Sequence, residues 1–136
     1  MAKIVIDAKN GIMGRVASFA AKQALLGNEV AIVNSEKVII SGNRYVNIER
    51  RKFLRALNTI NPGKGPLFSR VPEKMMKRCI RGMLPDFRQG RGKIALKRVK
   101  CYKGIPEELK NEKMLKLETK KMPVKVMTLE DLGRLI

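Results

Sequence analysis

The chain has 136 residues, which is enough for one hydrophobic core and too few for two ordinary domains. Its 30 Lys and Arg residues outnumber 12 Asp and Glu residues, so the net charge of +18 indicates a polyanionic partner, while 44% hydrophobic residues argue against global disorder. The absence of histidine removes the commonest general base, and Cys79 and Cys101 form no CxxC pair, which argues against a zinc site.

The first third of the chain has a strand, helix and strand pattern. We predict a short buried strand over Lys3–Ile6, closed by Asp7, and an Ala-rich helix from about Met13 to Leu26. The small side chains of that helix would let it lie close to a sheet. A second β-branched strand is predicted over Val30–Val33. Two strands joined by one helix within so short a segment predict a parallel sheet with a crossover connection.

The central segment has a short apolar run at residues 38–40 and then a predicted helix over Arg44–Ile60. The apolar positions of this helix fall near one face, which we expect to serve the core: Val46, Phe53, Leu57 and Ile60. Its basic positions cluster away from that face: Arg50, Arg51, Lys52 and Arg55. Residues 61–66 contain two prolines and two glycines and therefore predict a loop.

A further helix is predicted from Pro72, a favourable first helical position, to a stop at Pro85. Its apolar stripe consists of Met75, Met76, Cys79, Ile80 and Met83. The glycine-rich segment Gln89–Arg98 predicts a short helix, and Val99–Tyr102 a last strand of the sheet. This order of elements completes an α/β core over residues 1–105.

Residues 106–136 form a tail of different composition, with seven basic and six acidic residues. Val124–Val126 is a candidate edge strand, and Thr128 is a candidate helix N-cap with an acidic residue three positions later. We expect this charge-balanced tail to belong to the same domain as the core or to pack on it.

The positive charge is concentrated between Lys74 and Lys103, where eleven basic residues are opposed only by Asp86. A solvated basic face is the ordinary interpretation of a charge run, but here few carboxylates are near enough to balance it. Because aromatic residues are scarce, we expect recognition of phosphates and shape rather than base stacking. The candidate RNA-binding residues are Arg15, Lys64, Arg70, Lys74, Lys77, Arg78, Arg81, Arg88, Arg91, Lys93, Lys97 and Arg98.

The main alternative is a small enzyme that binds a nucleotide at the Gly11–Arg15 loop, which follows a strand and opens a helix. Neither a complete GxGxxG nor a phosphate-loop signature is present, so a tight turn is the better interpretation. No serine has a histidine to activate it, and the acidic residues are scattered. We therefore expect no enzyme activity, cofactor, metal or small-molecule substrate. We also expect a cytoplasmic chain without a membrane partner, since no apolar run is long enough to span a bilayer.

Several motifs in collinear order resemble a known family. Residues 77–85 read Lys-Arg-Cys-Ile-Arg-Gly-Met-Leu-Pro and are followed by Gly90-Arg91. This segment is similar to the hallmark of the universal L13 family of large-subunit ribosomal proteins. The family's N-terminal Val-x-Asp-Ala and Gly-Arg motifs resemble Ile6-Asp7-Ala8 and Gly14-Arg15, and its Asn-Ala-Glu-Lys segment resembles part of residues 33–38. Ser41-Gly42 also stands where the family has Thr-Gly or Ser-Gly.

The resemblance covers roughly residues 4–103 and implies a three-layer α/β/α fold around a small, mostly parallel sheet, with basic helical and loop extensions. It implies a structural constituent of the large ribosomal subunit that binds ribosomal RNA, contacts neighbouring ribosomal proteins and supports assembly. The implied RNA contacts are Arg15, Arg70, Lys77, Arg78, Arg81, Arg88 and Arg91. The chain lacks the bacterial His-Thr-Gly-rich central loop and the long eukaryotic C-terminal extension, so the archaeal type fits best.

Overall fold

Six strands and five helices make up the computed structural model, which describes residues 1–117 and 121–136. Residues 118–120, part of the predicted tail, lie outside the described residues. The strands are β1 (Lys3–Asp7), β2 (Glu29–Val33), β3 (Ile39–Ser41), β4 (Val99–Cys101), β5 (Met114–Lys116) and β6 (Val126–Thr128). The helices are α1 (Met13–Leu25), α2 (Arg44–Ala56), α3 (Pro72–Met83), α4 (Gly90–Arg98) and α5 (Leu129–Leu135).

The main sheet has four parallel strands in the order β4-β2-β1-β5. The predicted strand, helix and strand unit is confirmed, because β1 and β2 flank α1 in the chain and pair in parallel, with Val5 opposite Ala31. The predicted last strand is also confirmed as β4. Strand β5 was not predicted. It pairs with the other side of β1, where Met114 lies opposite Val5, and so brings part of the tail into the sheet.

One face of the sheet carries the main hydrophobic core. Buried strand residues Ile6, Ile32 and Val99 pack with α1, α3 and α4 in a single cluster. Four alanines of α1 are buried there: Ala17, Ala20, Ala21 and Ala24. Their small side chains let the helix axis approach the sheet closely, as its composition predicted.

The opposite face of the sheet carries a smaller cluster in which Val5, Ala31 and Val33 contact Leu109. Leu109 belongs to a single 3-10 turn, Glu107–Leu109, which covers this face in place of longer helices. The helices, the parallel sheet and this covering segment form three layers, so the predicted α/β fold class is confirmed.

A second, two-stranded antiparallel sheet joins β3 to β6, with Ile40 opposite Met127. The predicted N-cap is confirmed, because the Thr128 hydroxyl accepts a hydrogen bond of 3.2 Å from the Asp131 amide at the start of α5. Leu129 and Leu132 then bury themselves in the main core. The tail is thereby attached at both the sheet and the helical layer.

Helix α2 lies at the edge of the molecule, and the expectation that its apolar face serves the core was wrong. That face is exposed at Val46, Phe53 and Leu57, and Ile60 lies beyond the helix end. The half-buried positions of α2 are instead Asn47, Ile48, Arg51, Leu54 and Arg55. The helix also ends four residues earlier than predicted. Its opposite side faces the core, since Ile48 packs against the main hydrophobic cluster and Leu54 lines a pocket with Ile40 and Leu132. The Arg55 guanidinium also donates a hydrogen bond to the Ile136 carbonyl oxygen.

Candidate nucleic-acid interface

A surface groove of about 320 Å³ runs between α3, α4, α2 and the segment that precedes α3. We call it the basic groove. Its cationic lining consists of Arg51, Lys74, Lys77, Arg78 and Arg81, and its other lining residues are Leu67, Phe68, Ser69, Met75 and Leu96. Four of the twelve residues predicted to bind RNA thus meet in one place, together with one residue that was not predicted.

The helical repeat of α3 explains this convergence. Lys77 and Arg78 each lie three or four positions from both Lys74 and Arg81, and this spacing places the four side chains along one side of the helix. The opposite side buries Met76 and Ile80 in the core, which fixes the rotation of the helix. The hydrophobic stripe therefore orients the basic stripe outward.

Arg78 is held in place inside the groove without a carboxylate. Its guanidinium donates a hydrogen bond of 2.6 Å to the Leu67 carbonyl oxygen, and its central carbon lies 3.9 Å from the centroid of the Phe68 ring. Partial burial, together with the nearby charges of Arg81 and Arg51, lowers the pKa of Arg78 below the usual value for arginine. The groove is therefore a region where positive charges repel one another and an anion would relieve the repulsion.

Phe87 links the groove to the loop that follows α3. The guanidinium carbon of Arg81 lies 4.7 Å from the Phe87 ring centroid, and that of Arg88 lies 5.6 Å from it. The Arg88 amide also donates a 3.1 Å hydrogen bond to the Asp86 carboxylate, which shapes this loop. Arg88 thus extends the positive surface beyond the groove.

Carboxylates do not neutralise the groove within residues 1–117 and 121–136. In that part of the chain, salt bridges shorter than or equal to 4.0 Å join Lys3 to Glu112, Lys110 to Glu107 and Arg134 to Glu130, and all of these cations lie outside the groove. The lining itself contains no acidic residue. The surface therefore has the electrostatic character that binding to a phosphate backbone requires.

Five other predicted residues lie outside the groove lining, and all are exposed: Arg15, Lys64, Arg70, Arg91 and Lys93. Arg15 stands in the first turn of α1, Lys64 in a short 3-10 turn, and Arg91 and Lys93 in the first turn of α4. Their role as RNA contacts stays a prediction.

Lys97 and Arg98 face a different part of the surface. They line a depression with Lys3, Lys100, Glu29 and Glu108, so two carboxylates stand near these cations. The Arg98 guanidinium also donates a 3.4 Å hydrogen bond to the Ala24 carbonyl oxygen, which ties the end of α4 to α1. The charge-rich segment from Lys74 to Lys103 is therefore divided between two surfaces, and its C-terminal part does not join the basic groove.

Arg51 is the groove residue that the sequence did not identify. It lies in α2, outside the segment of highest charge, and its helix face was assigned to solvent. The spacing of Ile48, Arg51, Leu54 and Arg55 also defines one side of a helix, and this is the signal that would have found it. Its charge reaches α3, where it opposes the rise in the pKa of Cys79.

The Gly11–Arg15 loop is occupied by internal contacts. The Gly11 amide donates to the Ala8 carbonyl oxygen at 3.0 Å, and its own carbonyl accepts from the Ile39 amide at 2.9 Å. A Cβ at Gly11 would lie only 2.8 Å from a methyl group of Val16, so the glycine permits close packing. Asp7 accepts hydrogen bonds of 2.8 Å from the Asn34 amide group and 3.1 Å from the Lys9 backbone. These contacts fit the tight turn rather than a phosphate loop.

Two further observations bear on chemistry. Among the described residues, no group of three or more His, Cys, Asp or Glu side chains is arranged to hold a metal ion. No helix in the described part of the chain is both long and apolar enough to cross a membrane.

The two cysteines are free thiols. Burial raises the pKa of Cys101 to about 12, while Lys77 opposes this rise and Glu73 adds to it. Thiolate is the reactive form, so Cys101 should be almost inert at pH 8. In a Cys79→Ser variant, we expect the aromatic disulfide reagent DTNB to label native Cys101 at least a hundredfold more slowly than the chain unfolded in urea. Equal labelling rates would contradict this burial.

Comparison with known proteins agrees with this architecture. The family model described as "Ribosomal protein L13" matches residues 2–108, which is well over half of the chain. The chain belongs to the ribosomal protein L13 family. The match contains the main sheet apart from β5, and it contains every residue of the basic groove.

Two archaeal relatives match nearly end to end. A large ribosomal subunit protein uL13 of Methanococcoides burtonii is 41% identical over 96% of this chain and 94% of its own length. That of Thermoplasma volcanium is 40% identical over 96% and 95%. The uL13 of Caenorhabditis elegans is 40% identical over 82% of this chain but only 55% of its own length. The archaeal type is therefore confirmed, and none of these relatives is named as an enzyme.

Proposed function

We propose that this chain is a structural constituent of the large ribosomal subunit and binds large-subunit ribosomal RNA through the basic groove. Arg88, Arg91 and Lys93 extend this contact. The chain supports assembly of the subunit, contacts neighbouring ribosomal proteins and resides in the ribosome in the cytoplasm. Membership of the L13 family supports a place in the large ribosomal subunit, and the composition of the groove supports the RNA contact.

The observation that carries the proposal is the set of five cations in one groove without a carboxylate in its lining. Each Lys or Arg that meets a phosphate releases condensed counterions, which makes binding favourable and dependent on salt. Arginine also binds phosphate oxygens in bidentate geometry. A polyanion that follows the groove would remove the mutual repulsion of Arg51, Arg78 and Arg81.

A salt titration tests the RNA contact. With full-length chain and large-subunit ribosomal RNA, raising salt from about 50 to about 200 mM should weaken binding a few hundredfold if about five phosphates are contacted. A plot of log affinity against log salt should be linear and steep. A flat salt dependence would refute binding by phosphate contacts.

Sedimentation tests whether the chain is part of the large ribosomal subunit. The chain should migrate with large subunits in a sucrose gradient of cell extract and leave them only under conditions that dissociate ribosomal proteins. A chain found only in the soluble top fractions would refute its role as a constituent of the subunit.

A further inference from the structure

We infer that the basic groove binds a single unpaired nucleotide of RNA, with its base against the apolar part of the lining and its phosphates on the cations. This inference rests on the proposed function and adds the class of RNA element that the groove accepts. The scarcity of aromatic residues had favoured phosphate and shape recognition alone, but the fold places Phe68 where a base could reach it.

The lining of the groove is partly apolar and partly cationic, so a ligand that fits it should have both an apolar part and an anionic part. Leu67, Phe68, Met75 and Leu96 provide apolar surface, while the cations of α2 and α3 stand among them. A continuous RNA duplex presents phosphates and sugars to a protein, but its base faces are stacked inside the helix. A duplex would therefore satisfy the cations and leave the apolar part of the groove in contact with water. An unpaired nucleotide offers a flat apolar base and anionic phosphates together.

The stack of Arg78 on Phe68 gives the groove a planar recognition element. Both side chains are only half-buried, and the guanidinium lies 3.9 Å from the ring centroid. The hydrogen bond from Arg78 to the Leu67 carbonyl oxygen holds this arrangement before a ligand arrives. Unpaired RNA bases characteristically stack on aromatic rings and on arginine planes. A preformed stack reduces the ordering that binding would otherwise require.

The size of the groove fits one nucleotide and not a longer stacked strand. Its volume is about 320 Å³, and Phe68 is the one aromatic residue among its lining residues. A strand with several stacked bases would need aromatic residues in series along the surface. The next aromatic side chain on this side, Phe87, lies beside Arg81 and Arg88 and is not part of the lining.

The test compares hairpin RNAs that share one stem and differ only in a single bulged nucleotide. One probe is fully paired, and four others carry an unpaired A, G, C or U. Fluorescence anisotropy at about 50 mM salt gives the affinity of the full-length chain for each. We expect at least one bulged hairpin to bind about tenfold or more tightly than the paired hairpin, as base stacking on an aromatic residue would produce.

Two matched variants locate the effect. Phe68→Leu keeps apolar volume but removes the ring, and it should reduce the ratio of bulged to paired affinity to about one. Phe87→Leu removes an aromatic residue that also contacts arginines but lies outside the groove, and it should keep the preference. Thermal unfolding of both variants establishes that they are folded.

Two results would overturn the inference while the proposed function stands. The first is equal affinity for all five hairpins with a steep salt dependence, which would indicate backbone binding alone. The second is a preference for the bulge that persists in Phe68→Leu. If an acidic peptide with a central Phe binds more tightly than every hairpin and loses its affinity in Phe68→Leu, the groove is a peptide site and the inference is wrong. Failure of the proposed function itself would differ, because no RNA would then show salt-dependent binding.

Discussion

Replacing Lys77, Arg78 and Arg81 together by glutamine is expected to weaken binding to large-subunit ribosomal RNA by two to three orders of magnitude at about 50 mM salt. These residues lie on one side of α3 and line the same groove. Each lost phosphate contact should also reduce the salt slope by about 0.7 to 0.9, so the slope should fall by roughly two to three in total. Glutamine keeps much of the side-chain length and favours helices, so α3 should remain folded.

A control with the same change in net charge distinguishes the groove from general electrostatic attraction. Lys113, Lys116 and Lys125 are exposed in the tail, and their replacement by glutamine lowers the net charge by three, from +18 to +15, as in the groove variant. We expect this control to lose less than tenfold in affinity. Filter binding over a salt series measures both variants, and equal losses would mean that net charge rather than the groove determines binding.

Replacing Gly92 by alanine is expected to destabilise the fold by about 3 kcal/mol. Gly92 is buried in the first turn of α4, and a Cβ there would overlap the Pro85 carbonyl oxygen and lie 2.5 Å from that of Asp86. Both obstacles are backbone atoms, so α4 would have to move away from the turn after α3. Thermal or urea unfolding measures the loss, which should lower the melting temperature by roughly 10 °C.

Gly82 provides the opposite case in the neighbouring helix. It is exposed near the end of α3, and no atom lies within 4 Å of a Cβ built on it. Alanine loses less backbone entropy than glycine when a helix forms, so Gly82→Ala should stabilise the fold by a few tenths to about 1 kcal/mol. A Gly92→Ala variant as stable as the parent chain would show that α4 is free to shift.

The contrast between these glycines shows what the sequence could and could not predict. The sequence predicted a short helix over the glycine-rich segment Gln89–Arg98 but gave no separate role to Gly92. In the structure, Gly92 permits close contact between α4 and the backbone that precedes it in the chain. Such a role depends on tertiary approach and leaves no periodic pattern in the sequence.

Local patterns predicted the elements with a clear apolar signal. Strands β1 and β2 were recognised as short apolar runs, and helices α1 and α3 were recognised because their apolar residues fall on one face of a helix. Strand β5 was missed because Met114–Lys116 is short and contains a charged residue, and because its partner β1 is far away in sequence. The face of α2 was assigned wrongly because its most apolar stripe is the exposed one.

The sequence predicted those parts of the candidate site whose basic residues lie close together along the chain. Counting basic residues identified the α3 part of the groove directly. It could not separate Lys97 and Arg98, which stand at the end of α4 on another surface beside Glu29 and Glu108. Nor could it find Arg51 or the stack of Arg78 on Phe68, since both depend on how distant segments meet.

The position of β5 in the sheet also affects how the chain emerges during its own synthesis. Residues 3–101 contain the three strands β1, β2 and β4, but one edge of β1 stays open until Met114–Lys116 has been translated. An open edge of an apolar strand can pair with other chains and promote aggregation. The nascent chain is therefore at risk of aggregation until β5 has been made. During this interval its concentrated positive charge opposes contact between two copies.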